Sequence, residues 1–171
     1  VREKDGLWAV LFWLNILVVR KQSVADIGTD RWQKVGDYVY TRHDYEAVSA
    51  KGANALKVQL RKHSDELGGK HFGEYAVKCC DDFSYTDPID HSVSSQQGIR
   101  ILFTSGARII YRLSGTGTEG ATLRVYIEQP EKDATKLDRD PQESLAELIR
   151  LSSSIAAIEQ HTGRKTPDVI T

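Results

Sequence analysis

Between residues 98 and 129 the chain alternates apolar and polar side chains run after run, with turn residues between the runs. Ile99, Ile101 and Phe103 alternate with Arg100, Leu102 and Thr104, which predicts a strand over 98–104. Ser105-Gly106 reads as a two-residue hairpin turn. A second strand follows over 107–113. In the third, 121–129, Leu123, Val125 and Ile127 share one side, and Thr122, Arg124, Tyr126 and Glu128 the other. Period-two alternation marks a strand with one buried and one wet face, and strands joined by short turns pair antiparallel.

Helical signals flank these strands. Asp44 is a good N-cap for a helix ending at Glu66 or Leu67, with Leu56 and Leu60 one turn apart and Gly68-Gly69 as the stop. Residues 75–79 read as a short strand. Asp140-Pro141-Gln142-Glu143 starts a final helix, with Pro at its first position and Gly163 at its end. The predicted fold is α+β, an antiparallel sheet with helices packed on one face.

The first residues differ in kind. Residues 7–19 are apolar except for Asn15. Thirteen residues are too few to span a bilayer, which takes about twenty. Glu3 and Asp5 also spoil a signal-peptide start. The run therefore reads as a helix buried on most sides, followed by a second helix from Ser23 to about Val35. Two helices this apolar need a partner surface, so 1–36 is expected to be the tail of an upstream domain. Residues 37–43 read as an interdomain link and 44–171 as a separate domain. The chain begins with Val1 and holds no Met, which fits an excerpt of a longer protein.

Lys+Arg 23 against Asp+Glu 24 gives a net charge of −1, which argues against a nucleic-acid binder and gives no basic attraction to a membrane. Cys79 and Cys80 are adjacent, a spacing that makes a strained disulfide, so they read as reduced thiols in a reducing, cytoplasmic compartment. The five histidines lack metal-ligand spacing. Asp81, Asp82, Asp87 and Asp90 form an acidic stretch without EF-hand spacing, and Asp87-Pro88 points to a turn.

The chemistry concentrates in 112–124, Arg-Leu-Ser-Gly-Thr-Gly-Thr-Glu-Gly-Ala-Thr-Leu-Arg. Gly115, Gly117 and Gly120 match the dinucleotide fingerprint by letter. That fingerprint needs a helix after the glycines, and here a strand follows. Two alternatives stay open: a ligand-free glycine-rich hairpin loop, or a phosphate clamp. The arginines favour the clamp. At about 3.3 Å per residue, Arg112 and Arg124 start within roughly 7–13 Å of the loop tip. Guanidiniums, the Ser114 and Thr116 hydroxyls and accessible backbone N–H groups are what a phosphate dianion needs.

Arg2-Glu3-Lys4-Asp5-Gly6-Leu7-Trp8-Ala9-Val10-Leu11, then Asp81-Asp82-Phe83-Ser84-Tyr85-Thr86-Asp87-Pro88, the loop at 112–117, Thr162-Gly163-Arg164 and the terminal Val169-Ile170-Thr171 together resemble the C-terminal part of the phosphoglucomutase family, in the α-D-phosphohexomutase superfamily. The resemblance covers essentially the whole chain. It implies a TATA-binding-protein-like last domain, preceded by two helices from the end of an α/β domain. It implies that Arg112, Ser114, Gly115, Thr116, Gly117 and Arg124 grip the non-transferring phosphate of the sugar. It gives Lys4 a catalytic role, as general acid/base or electrostatic support. The activity implied is interconversion of glucose 1-phosphate and glucose 6-phosphate, with Mg²⁺ and glucose 1,6-bisphosphate in the whole enzyme. The phosphoserine, metal and sugar loops of the family do not occur in this chain, so alone it is expected to be inactive and to bind no cofactor with its own residues. Its partners are then a hexose phosphate and the upstream mutase domains. The alternative is a non-catalytic binding or scaffold module. His91 stands where the family pattern has a glycine, which bears on that turn, and Gly28 interrupts a predicted helix.

Overall fold

The computed structural model describes residues 5–115, 120–136 and 139–171. In chain order the elements are α1 (Gly6–Arg20), α2 (Val24–Val35), β1 (Asp37–Val48), α3 (Ala50–Leu67), β2 (His71–Phe72), β3 (Tyr75–Thr86), β4 (Val93–Phe103), β5 (Arg108–Ser114), β6 (Ala121–Glu131), α4 (Pro141–Ser144), α5 (Ala146–Ala156), α6 (Ile158–Thr162) and β7 (Val169–Ile170). The strands form one sheet, ordered β2-β3-β4-β5-β6-β1-β7, with every neighbour antiparallel. Helices α3 and α5 cover one face.

The alternation seen in the sequence is the physical basis of this layering. Ile99, Ile101, Ile109, Tyr111, Leu123, Val125 and Ile127 turn to the helices and are buried. Leu56 and Leu60 of α3 and Leu148 of α5 meet them. Burying each such side chain stabilises the fold by about 1.5–3 kcal/mol. Tyr111 ties the layers together by donating its hydroxyl to the Ser152 carbonyl at 2.8 Å. Burial pushes its phenol well above the ordinary tyrosine value. Burial likewise pushes Tyr75 up to about 12, and that hydroxyl donates to Gln129 Oε1 at 2.8 Å.

The first helix forms where expected. Asp5 caps it by accepting from the Trp8 N–H at 2.9 Å, and Lys21 closes it in a left-handed conformation. No α1 residue is buried, and Leu7, Val18 and Val19 are 74–81% exposed. Ser23 and Asp26 make a capping box at the start of α2. Arg20 joins α1 to α2 through Asp30 at 2.7 Å. The Lys34 and Arg20 hydrogen bonds hold the Asp30 carboxyl below its ordinary value. Among the described residues no single helix is long and apolar enough to cross a membrane, and α1 with α2 meets that test only as a pair bent by 80°.

Several local expectations change. Residues 37–43, expected as an interdomain link, are the first half of β1 and pair along their length with β6. The helix expected from Asp44 starts instead at Ala50, capped by Ser49. Asp44 is a good cap in isolation, but long-range pairing with β6 draws it into the sheet, where it is 4% exposed. Strand β3 runs through Asp81 and Asp82 because arginines neutralise them: Arg100 binds Asp81 through two bonds of 2.8 and 2.7 Å, and Arg61 binds Asp82 at 2.7 Å. The first of these pairs holds the Asp81 carboxyl below its ordinary value. The β4–β5 turn carries Ser105 and Gly106 as expected but is longer than two residues, closing where the Phe103 N–H meets the Ala107 carbonyl at 2.9 Å. The last helix breaks at Leu145 and at Ala157, where φ is +45°. His91 takes φ +59°, the left-handed region that favours glycine.

Candidate functional site

The hairpin of β5 and β6 builds the site. Its register places Arg112 directly opposite Arg124, and Ser114 opposite Thr122. Directly opposed side chains on antiparallel strands lie about 5 Å apart at Cβ and share one face of the sheet. That face is the open one, because Leu113 and Leu123 between them turn toward the core. Opposed like charges destabilise a sheet. The register therefore sets two guanidiniums side by side at the end of the hairpin, beside two hydroxyls.

The loop ends are shaped by glycines. Gly115 has φ +75° and Gly120 φ +94°. A Cβ on Gly120 would also lie 3.0 Å from the Val48 carbonyl, so the loop returns tight against the end of β1. Lys4, Thr116 and Gly117 lie outside the described residues.

The two arginines are held by different means. Arg112 Nε donates to the Gln97 carbonyl at 3.2 Å. Its stem lies on Gly98, where a Cβ would sit 2.9 Å from Arg112 Cγ and 2.7 Å from the Tyr111 carbonyl oxygen. Arg124 Nε approaches Asp44 Oδ2 at 3.5 Å, and Arg42 Nε approaches Asp44 Oδ1 at 3.0 Å. Neither contact has hydrogen-bond geometry, so Arg42 Nε, Arg124 Nε and Asp44 Oδ1 are buried without a hydrogen-bond partner among the described residues.

Beside the arginine pair the open face forms a hollow of about 440 Å³, lined by Phe83, Tyr85, Arg100, Arg108 and Arg112 among others. Arg100 stacks over the Phe83 ring at 4.3 Å and is paired with Asp81, while Arg108 is paired with Glu128 at 2.6 Å. Arg112 has only a neutral carbonyl partner among the described residues. Of these three cations it is the one left to meet an added anion.

The structure thus brings together Arg112, Ser114, Gly115 and Arg124. It adds Asp44, Gln97, Gly98 and Thr122, which the sequence reading passed over. Gly98 did carry a signal, since a glycine inside a strand pattern often marks close backbone approach. Asp44 was hidden by its quality as a helix cap. Among the described residues no group of three or more His, Cys, Asp or Glu side chains is placed to hold a metal ion. Asp87 makes the expected turn, accepting from the Ile89 N–H at 2.7 Å. His43 is a buried core histidine, its Nε2 2.9 Å from Gln142 Oε1.

Gly98→Ala is the variant that probes how Arg112 is held. The new methyl meets backbone and the Arg112 stem, so Arg112 must move. The expected result is a folded domain with anion affinity reduced about tenfold, since mispositioning one charged donor costs on the order of 1.5 kcal/mol. Titration calorimetry with inorganic phosphate measures it, and unchanged affinity would show that Arg112 is not fixed from this side.

The family profile described as phosphoglucomutase-1, C-terminal domain, matches residues 37–168. The chain belongs to this family. It is 53% identical over 171 residues to the phosphoglucomutase of Rhizobium radiobacter, covering 100% of this chain and 32% of that protein. It is 50% identical over 177 residues to phosphoglucomutase-1 of Homo sapiens, with the same coverage of each. The chain therefore spans about a third of the length of these curated phosphoglucomutases. A crystal structure of the exocytosis-sensitive phosphoprotein parafusin, a phosphoglucomutase from Paramecium, in an open form, superposes with a TM-score of 0.84 at 42% identity, covering 100% of this chain and 30% of that one. The sheet with helices on one face is thus the fold of a phosphoglucomutase C-terminal domain.

Proposed function

We propose that this domain is the phosphate clamp of a phosphoglucomutase that interconverts glucose 1-phosphate and glucose 6-phosphate. The observation that carries this reading is the register of Arg112 opposite Arg124 at the loop mouth, with Ser114 and Thr122 on the same face. The phosphate held is the one not being transferred. Two guanidiniums meet its charge, the Ser114 hydroxyl and the Gly115 N–H offer donors, and the resemblance adds Thr116 and Gly117. Such contacts recognise phosphate rather than a sugar face, so the clamp accepts the substrate in either orientation. It lowers the barrier by positioning.

The rest of the machinery belongs to the whole protein. Lys4 would face the reacting hydroxyl and phosphoryl group as acid/base or electrostatic support. Residues 1–36 are read as the end of the preceding mutase domain. The bare apolar surface of α1 supports this, as does a family match that begins at Asp37. Mg²⁺ would supply charge neutralisation at the transferring phosphoryl group. The described residues of this chain offer no cluster to hold it. Glucose 1,6-bisphosphate would occupy the same clamp as the intermediate, in a cytoplasmic setting.

Calorimetric titration of the chain with glucose 1-phosphate tests the clamp. Arg124→Ala is expected to weaken binding by at least about tenfold, the effect of losing a charge-assisted contact of about 1.5–3 kcal/mol. A folded wild-type chain that binds nothing would sink the proposal.

A further inference from the structure

We infer that Asp44 is a positioning residue that fixes Arg124 for anion binding, an inference that rests on the clamp proposed above. Asp44 sits on β1, directly opposite Arg124 of β6 and two residues from Arg42 on the same face. Its side chain is 6% exposed, against 41% for Arg124 and 36% for Arg42. A carboxylate so buried is retained only when paired, and here two guanidiniums flank it. The closest approach in both pairs is to Nε, the stem-side nitrogen. Asp44 therefore holds the base of the Arg124 fork by charge rather than by a hydrogen bond, and the terminal nitrogens are what a phosphate takes up.

The strand that carries Asp44 is itself braced on both edges. On one edge β6 pairs with it from Asp37 to Tyr45 and again, after a bulge, at Val48. On the other, the Asp44 carbonyl accepts from the Asp168 N–H at 2.8 Å, and Arg42 exchanges backbone bonds of 2.7 and 3.0 Å with Thr171. The Glu46 N–H donates to Asp168 Oδ2 at 2.8 Å. Among the described residues Arg112 has no such acid and is held by a neutral carbonyl instead. The two halves of the clamp thus differ in kind. One is set by backbone and the other by a buried charge.

The sign of the effect separates positioning from simple charge. Asp44 is an anion beside an anion site. Removing its charge would, by electrostatics alone, tighten phosphate binding. Removing a brace from Arg124 would weaken it. Binding of glucose 1-phosphate is measured by calorimetry for wild type, Asp44→Asn, Arg124→Ala and the double variant, at a temperature where circular dichroism shows all four folded. Asp44→Asn is expected to weaken binding about tenfold in the wild-type background and less than about twofold in the Arg124→Ala background, because a residue acting through Arg124 loses its effect once Arg124 is gone. Asp44→Glu keeps the charge but moves the carboxylate, so it is expected to weaken binding severalfold, and it carries the test if Asp44→Asn does not fold. Unchanged or tighter binding by Asp44→Asn, equal loss in both backgrounds, or wild-type affinity in Asp44→Glu would overturn the inference. If Arg124→Ala weakens binding and Asp44→Asn does not, the clamp stands and only the brace falls. If the wild type binds nothing, both fall.

Discussion

Replacing Leu123 by alanine is expected to destabilise the domain by about 2–5 kcal/mol, the range for emptying a fully buried leucine site. Leu123 is 0% exposed and lies between Thr122 and Arg124 on β6. It is flanked across the sheet by Leu113 of β5 and Tyr45 of β1. Its side chain fills the interior directly behind the arginine pair, with the sheet backbone between. The cavity cannot close easily, because hydrogen-bonded strands on both sides fix the backbone. Thermal unfolding followed by circular dichroism should show a midpoint lowered on the order of 10 °C. A loss under about 1 kcal/mol would mean that the hairpin is not packed over a filled core.

Gly52→Ala should also destabilise, although alanine is the better helix former. Gly52 lies in the first turn of α3, where its N–H donates to the Ser49 hydroxyl at 3.1 Å. In an open helix the change would gain up to about 1 kcal/mol. Here a Cβ would fall 2.1 Å from the His161 carbonyl oxygen of α6. That atom is backbone and cannot swing aside, so the two helix ends must separate. Overpacking of this kind costs about 1–3 kcal/mol, and the His161–Gln59 contact between the same helices is strained with it. The expected net effect is a loss of about 2 kcal/mol in urea unfolding. A stabilised variant would refute the close approach of α3 to α6.

The parts of the fold legible in the sequence are those that neighbouring residues decide. The alternation of Leu123, Val125 and Ile127 set both the strand and its buried side. Ser23 announced the start of α2. The strand after Gly120 excludes a dinucleotide site. The errors fall where distant residues decide. Asp44 has the local chemistry of a helix cap, yet β6, some eighty residues away in sequence, claims it as a strand residue. Asp81 and Asp82 read only as part of an acidic stretch beyond a strand ending at residue 79, yet they lie within β3, where Arg100 and Arg61 neutralise them. Ala157 breaks a helix that its own side chain would continue.

The sequence alone determined that strands flank the glycine-rich stretch within 112–124, with an arginine on each strand and hydroxyls beside it. Turn chemistry and strand periodicity are local, so they are written in the order of residues. Only the tertiary structure decided that Arg112 and Arg124 stand in register, that Gln97 and Gly98 hold one, and that a buried Asp44 stands against the other. Those contacts join β4, β5, β6 and β1, and the pairing of separate strands is fixed by burial of the whole sheet face rather than by any single segment.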